Sequence, residues 1–75
     1  MSKSILEMEP ESSAKIIELD GSEEFKRKLA TLNIRIGKTI KKIAMQPFRG
    51  PIIIEVDATK VTIGRGIASK IIVEY

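Results

Sequence analysis

Four sets of residues in this chain could do chemistry, and each falls short of the pattern its chemistry needs. Gly37-Lys38-Thr39 has the ending of a phosphate-binding loop, where backbone N–H groups and a lysine cradle phosphates. The full motif needs a glycine five residues before Gly37, but Leu32 stands there, and a helix rather than a strand is expected to precede it. Gly64-Arg65-Gly66 opens like a dinucleotide fingerprint, yet Ser69 takes the place of the third glycine, and no Rossmann unit fits this strand pattern. Two carboxylate groups, Glu7, Glu9 and Glu11 and then Asp20, Glu23 and Glu24, could offer oxygens to a hard cation. Neither has calcium-loop spacing, so they read as a solvated turn and a helix start. Ser12, Ser13 and Ser69 have no histidine to serve as a base, which leaves a serine nucleophile without activation.

The chain contains no histidine and no cysteine. Zinc, copper and iron–sulfur ligation by the usual ligands is therefore excluded, as are thiolate chemistry and disulfides. No catalytic, cofactor-binding or metal-ligating residue is assigned, and the chain is not expected to be an enzyme. Its function must lie in a surface. The three aromatics, Phe25, Phe48 and Tyr75, are too few for a base-stacking platform or a polyproline trough.

That surface must be carried by strands. Fourteen isoleucines and three valines stand against four leucines, and β-branched side chains favour a pleated sheet. Seventy-five residues make one small domain with a single core. Met1–Ser4 reads as a loose end, residues 9–13 as a turn and 14–19 as a first strand. Asp20-Gly21-Ser22-Glu23 has capping-box spacing, with Asp20 as the expected N-cap of a helix over 22–32. Phe25, Leu29 and Leu32 would form its buried face, and Asn33 tolerates the left-handed conformation that ends helices.

Gly37 then opens a strand over 39–45, where the three-residue spacing of Ile40 and Ile43 predicts a bulge. Residues 46–51, with two prolines and a glycine, are a loop. Residues 52–56 form a strand, 57–60 a tight turn, 61–64 its hairpin partner, 64–68 a single helical turn and 70–75 a last strand. The fold expected is mainly β with one or two short helices, a small antiparallel β-barrel. Residues 1–9 read as an N-terminal extension and 10–75 as the domain.

Charge is unevenly placed. Residues 25–54 hold eight basic residues and no acid, while 1–24 hold seven acids and two lysines. The basic stretch could attract nucleic acid, anionic lipid or an acidic protein face, or could simply be a solvated surface. No apolar run is long enough for a membrane span or a signal peptide, so a cytoplasmic location without membrane insertion is expected.

In order and spacing the chain resembles the ferrous-iron transport protein A (FeoA-like) family. The residues that carry the likeness run from Pro10 to Val73. They are Ala14–Leu19 as first strand, Leu29-Ala30-Thr31-Leu32-Asn33 with Gly37, Pro47-Phe48-Arg49-Gly50-Pro51, and Ile63-Gly64-Arg65-Gly66-Ile67-Ala68 leading to Ile71-Ile72-Val73. Two positions depart from the family pattern. Asn33 replaces a helix-ending glycine, and Glu11 stands where the first turn commonly has glycine.

The resemblance implies an SH3-like barrel that serves as a small accessory of ferrous-iron uptake. Its partner would be the cytoplasmic region of a permease carrying a G-protein domain, bound through protein–protein interaction. The likeness links the chain to transition metal ion transport, but without His or Cys it is not expected to ligate the iron itself. Aromatic and arginine side chains dominate interface energy, so Phe48, Arg49 and Arg65 are the candidate partner-binding residues. Each has a plainer reading: Phe48 could cap the core, and Arg65 could pair with Glu55 or Asp57. Two other functions stay open, a nucleic-acid-binding basic barrel, which the missing aromatics disfavour, and a free-standing regulatory domain like those of iron-dependent repressors. A homo-oligomer is also left open, because a strand near Tyr75 could pair with another copy.

Overall fold

A computed structural model describes residues 1–45 and 50–74. Along the chain come β1 (Ser2–Ser4), a 3-10 turn (Ile5–Glu7), β2 (Ser13–Leu19), α1 (Glu23–Ala30) and β3 (Thr39–Met45). β4 (Ile52–Val56), β5 (Thr59–Ile63), α2 (Arg65–Ala68) and β6 (Ile71–Glu74) follow. The strands form one antiparallel sheet in the order β1-β6-β2-β3-β4-β5. The fold is mainly β with two short helices and is SH3-like, but its ends do not meet. Among the described residues β1 and β5 remain edges, so the expected closed barrel is an open sheet.

Alternation builds the core. On β4 the side chains of Ile52, Ile54 and Val56 turn inward while Ile53 and Glu55 face out. They meet Ile16, Ile40, Ile63, Ile71 and Val73 from the other strands, with Ile5, Leu29, Ile34 and Ala68 closing the ends. Each fully buried isoleucine contributes about 1.5–3 kcal/mol of transfer free energy. The bulge expected in β3 is present, as a register shift between Lys42 and Ala44. A second one, between Ile16 and Glu18 of β2, leaves Ile17 exposed on the outer side.

The chain start is a correction. Residues 1–4, expected to be loose, form a short strand in which Ser2, Lys3 and Ser4 pair with Glu74, Val73 and Ile72. The following 3-10 turn is steadied where the Ser4 N–H donates to Glu7 Oε1 at 3.0 Å.

The N-cap of α1 is another. Ser22, not Asp20, takes that place, and its Oγ accepts from the Phe25 N–H at 3.1 Å. The capping box expected at Asp20 does not form, since the Asp20 N–H that Glu23 would accept instead bonds the Lys70 carbonyl, 2.8 Å, extending the β2–β6 pairing by one residue. Between them, Gly21 passes so close to Phe25 that an added Cβ would lie 2.3 Å from the ring. Phe25 and Leu29 face the core as expected, but Leu32 lies beyond the helix and is 45% exposed. Asn33 adopts φ +66°, and the N–H groups of Asn33 and Ile34 return to the carbonyls of Ala30 and Leu29 at 2.9 and 3.0 Å. These two bonds are those of a Schellman motif.

The β4–β5 turn is shorter than expected. Asp57 and Ala58 carry φ of +50° and +66°, as a two-residue type I′ hairpin requires, and β5 starts at Thr59.

Candidate partner-binding surface

Of the three candidate residues, Phe48 and Arg49 lie outside the described residues. Arg65 opens α2 and is half-buried. Sheet register relates it to the loop that contains the other two. Met45 pairs with Ile52, and Ile52 pairs with Ile63, so the residues flanking the 46–51 segment and the residue that leads into Gly64-Arg65 share one end of the sheet. α2 is a single turn with Gly64 as N-cap, its Ala68 N–H reaching the Gly64 carbonyl at 3.0 Å. Burial of Ala68 pins that turn against the core.

Lys42 is the residue that sequence reasoning missed. It lies in the basic stretch that could bind a partner or be a solvated surface, yet it is 0% exposed. Its Nζ donates to the carbonyls of Met8, 2.7 Å, and Leu6, 3.1 Å. Its backbone is engaged as well, the N–H with the Ser12 carbonyl at 3.0 Å and the carbonyl with the Glu11 N–H at 2.6 Å. One side chain thus ties the N-terminal segment to the middle of the sheet. Burial pushes its pKa down, the Glu9 carboxylate opposes that, and the charge of Arg65 adds to it. Strand parity held the signal: two residues beyond inward-facing Ile40, before the bulge, the side chain must point inward.

Asp57 and Glu55, the two acids offered as plainer partners for Arg65, also have other cations beside them. Asp57 accepts from Lys38 Nζ at 2.7 Å and from Asn33 Nδ2. Glu55 stands opposite Lys41 on one side and Lys60 on the other. Lys15 stands opposite Glu74. Part of the basic middle is therefore interleaved with acids across the outer face, an arrangement that favours a stable sheet over a continuous cationic track for phosphates.

No group of three or more His, Cys, Asp or Glu that could hold a metal ion occurs among the described residues. They form no cleft or cavity. No helix among the described residues is long and apolar enough to cross a membrane. What the described residues offer is shape and charge at a surface.

No curated protein sequence matches the chain. Solved structures do. An iron uptake regulatory protein (FeoA) superposes with a TM-score of 0.89 at 28% identity, covering 99% of this chain and 96% of that one. A FeoA-like protein from Clostridium acetobutylicum gives a TM-score of 0.85 at 23% identity, over 97% of this chain and 85% of that one. The manganese-activated repressor ScaR gives 0.86 at 21% identity, covering 96% of this chain but 34% of that one, a likeness of fold alone. The FeoA domain family model matches residues 3–75. Sequence match and architecture agree over almost the whole length, and the chain belongs to the FeoA domain family.

Proposed function

We propose that this chain is a non-catalytic accessory of ferrous-iron uptake that binds the cytoplasmic region of an iron permease, including its G-protein domain, and modulates transport. The observation that carries this reading is the family match over residues 3–75. The absence of histidine and cysteine supports a role through contact rather than through iron ligation. An interface of standard size takes about 800 Å² per partner, about a sixth of the 4711 Å² that this domain exposes. Such a contact can be specific and still short-lived. Phe48, Arg49 and Arg65 are the proposed contact residues, and the shared sheet end of Arg65 and the 46–51 loop supports grouping them.

The test is a titration of this protein into the purified G-protein domain, with and without GTP, reading binding and phosphate release together. Saturable binding is expected, weakened by at least about tenfold in Phe48→Ala/Arg49→Ala, as for an interface centred on an aromatic and an arginine. Unchanged binding by that double variant would remove the assignment to this loop. No binding at tens of micromolar would remove the permease domain as partner.

A further inference from the structure

The segment from Leu32 to Lys38 exposes apolar side chains on a backbone that is firmly held. Ile36 is 61% exposed, Leu32 45% and Ile17, on the adjoining strand, 36%. Exposed aliphatics on mobile loops are common and mean little, but this segment is anchored three ways. The Asn33 helix stop fixes its start. Asp57 holds Asn33 and Lys38 together. The Gly37 N–H bonds the Ile16 carbonyl at 2.8 Å, and the Ile16 N–H bonds the Lys38 carbonyl at 2.8 Å. Gly37 serves this path with φ +96°, a conformation other residues adopt at a cost. A rigid loop displays its apolar groups without the ordering cost a mobile one would incur on binding.

The charge around it is mostly positive. Arg35 is exposed between Leu32 and Ile36, and Arg27 and Lys28 are exposed on the last turn of α1. No acid occurs between residues 25 and 54, and the one carboxylate at the loop, Asp57, is engaged with Lys38. Glu18, exposed beside Ile17, marks the limit of the patch.

We infer that this loop is a second docking surface, distinct from the 46–51 loop, and that its occupant is a protein segment with aliphatic residues flanked by Asp or Glu. Partly exposed aliphatics on a flat loop, with no aromatic among them, suit a protein face better than the interfacial layer of a bilayer, where apolar side chains must sink about 5–10 Å. Residues 32–38 lead into the start of β3 and the 46–51 segment follows its end, so two such surfaces would let one small domain bridge two segments of a partner. The inference rests on the permease reading for the identity of that partner, but not for the chemistry of the segment.

The experiment follows backbone amide shifts of the full chain during titration with three probes. These are the cytoplasmic region of the permease, a synthetic peptide of alternating Glu and Leu, and vesicles containing one-third anionic lipid. Wild type is compared with Ile36→Asp, whose exposed site leaves the thermal midpoint unchanged, and with Arg35→Glu. Expected are shifts at residues 32–38 and at Ile17 with the permease region, and affinity lowered at least about tenfold in both variants. Binding that leaves residues 32–38 unshifted would overturn the inference while the permease reading stands. No binding of the permease region, together with Ile36-dependent binding of the acidic peptide, would keep the inference and remove the permease. Loss of both, or binding to the vesicles alone, would overturn it.

Discussion

Replacing Lys42 by methionine tests the clamp between the N-terminal segment and the sheet. The variant keeps the unbranched stem and removes the charge and its donors. Two hydrogen bonds from a cation are lost, each about 1.5–3 kcal/mol. Against that, the ammonium is no longer taken out of water, which returns several kcal/mol. These nearly offset one another, and what remains is the buried Met8 carbonyl without its donor, about 1–3 kcal/mol. Lys42→Met is therefore expected to be about 1–2 kcal/mol less stable at neutral pH, a fall of roughly 4–8 °C per kcal/mol for a domain this size.

The pH dependence gives a second signature. Burial lowers the pKa of Lys42 below 10.5, so between the lowered value and 10.5 the unfolded chain binds more protons than the folded one. Wild-type stability must rise with pH through that window, the cost of the buried charge being fully present below it. The assay is the urea midpoint and slope of both proteins from neutral pH upward, with the difference isolating Lys42 from other titrating groups. The gap should widen as pH climbs. Curves that run parallel, or a methionine variant at least as stable as wild type at neutral pH, would refute the argument that Lys42 is a buried charge whose donors hold the chain start.

Two further changes test local backbone and capping. Glu11 adopts φ +68°, which costs a non-glycine residue about 1–2 kcal/mol, while glycine gives back roughly 0.5–1 kcal/mol through its freer unfolded state. Glu11→Gly should raise the thermal midpoint by a few degrees, and a fall would show that the Glu11 side chain contributes something the turn geometry does not reveal. Ser22→Ala should cost about 1 kcal/mol, whereas Asp20→Ala should stay within about 0.5 kcal/mol. Equal losses in chemical denaturation would mean that both side chains cap α1.

The parts legible in the sequence were those set by local chemistry. β3 and β4 could be bounded to the residue because β-branched runs there are punctuated by Gly37, the proline loop and Asp57. The β3 bulge followed from the spacing of Ile40 and Ile43, and the helix stop from Asn33. What could not be read depends on distant partners. Ser2-Lys3-Ser4 has no strand propensity of its own and is extended because Ile72–Glu74 offers it an edge. Asp20 has the spacing of a capping box, but the Lys70 carbonyl, just before β6, takes the N–H that the box needs. The Asp57 contacts with Asn33 and Lys38 join segments separated by the whole of β3 and β4. Of the candidate site, Arg65 could be located, and the sheet end it shares with the proline loop comes from strand register that no single segment encodes.

The strand order also sets how quickly the chain can find its structure. β3, β4 and β5 are successive neighbours, so that meander closes through short loops on the microsecond scale of hairpins. β2 pairs with β3 on one side, but its other side waits for β6, joining Lys15 to Glu74 across most of the chain, and β1 can add only after that. Closing so long a loop must come before its contacts reward it, which places folding of this domain in the millisecond-to-second range. During synthesis β2 and the meander emerge before β6 does, so β2 can pair with β3 on one side while its other side stays unpaired until β6 has been made.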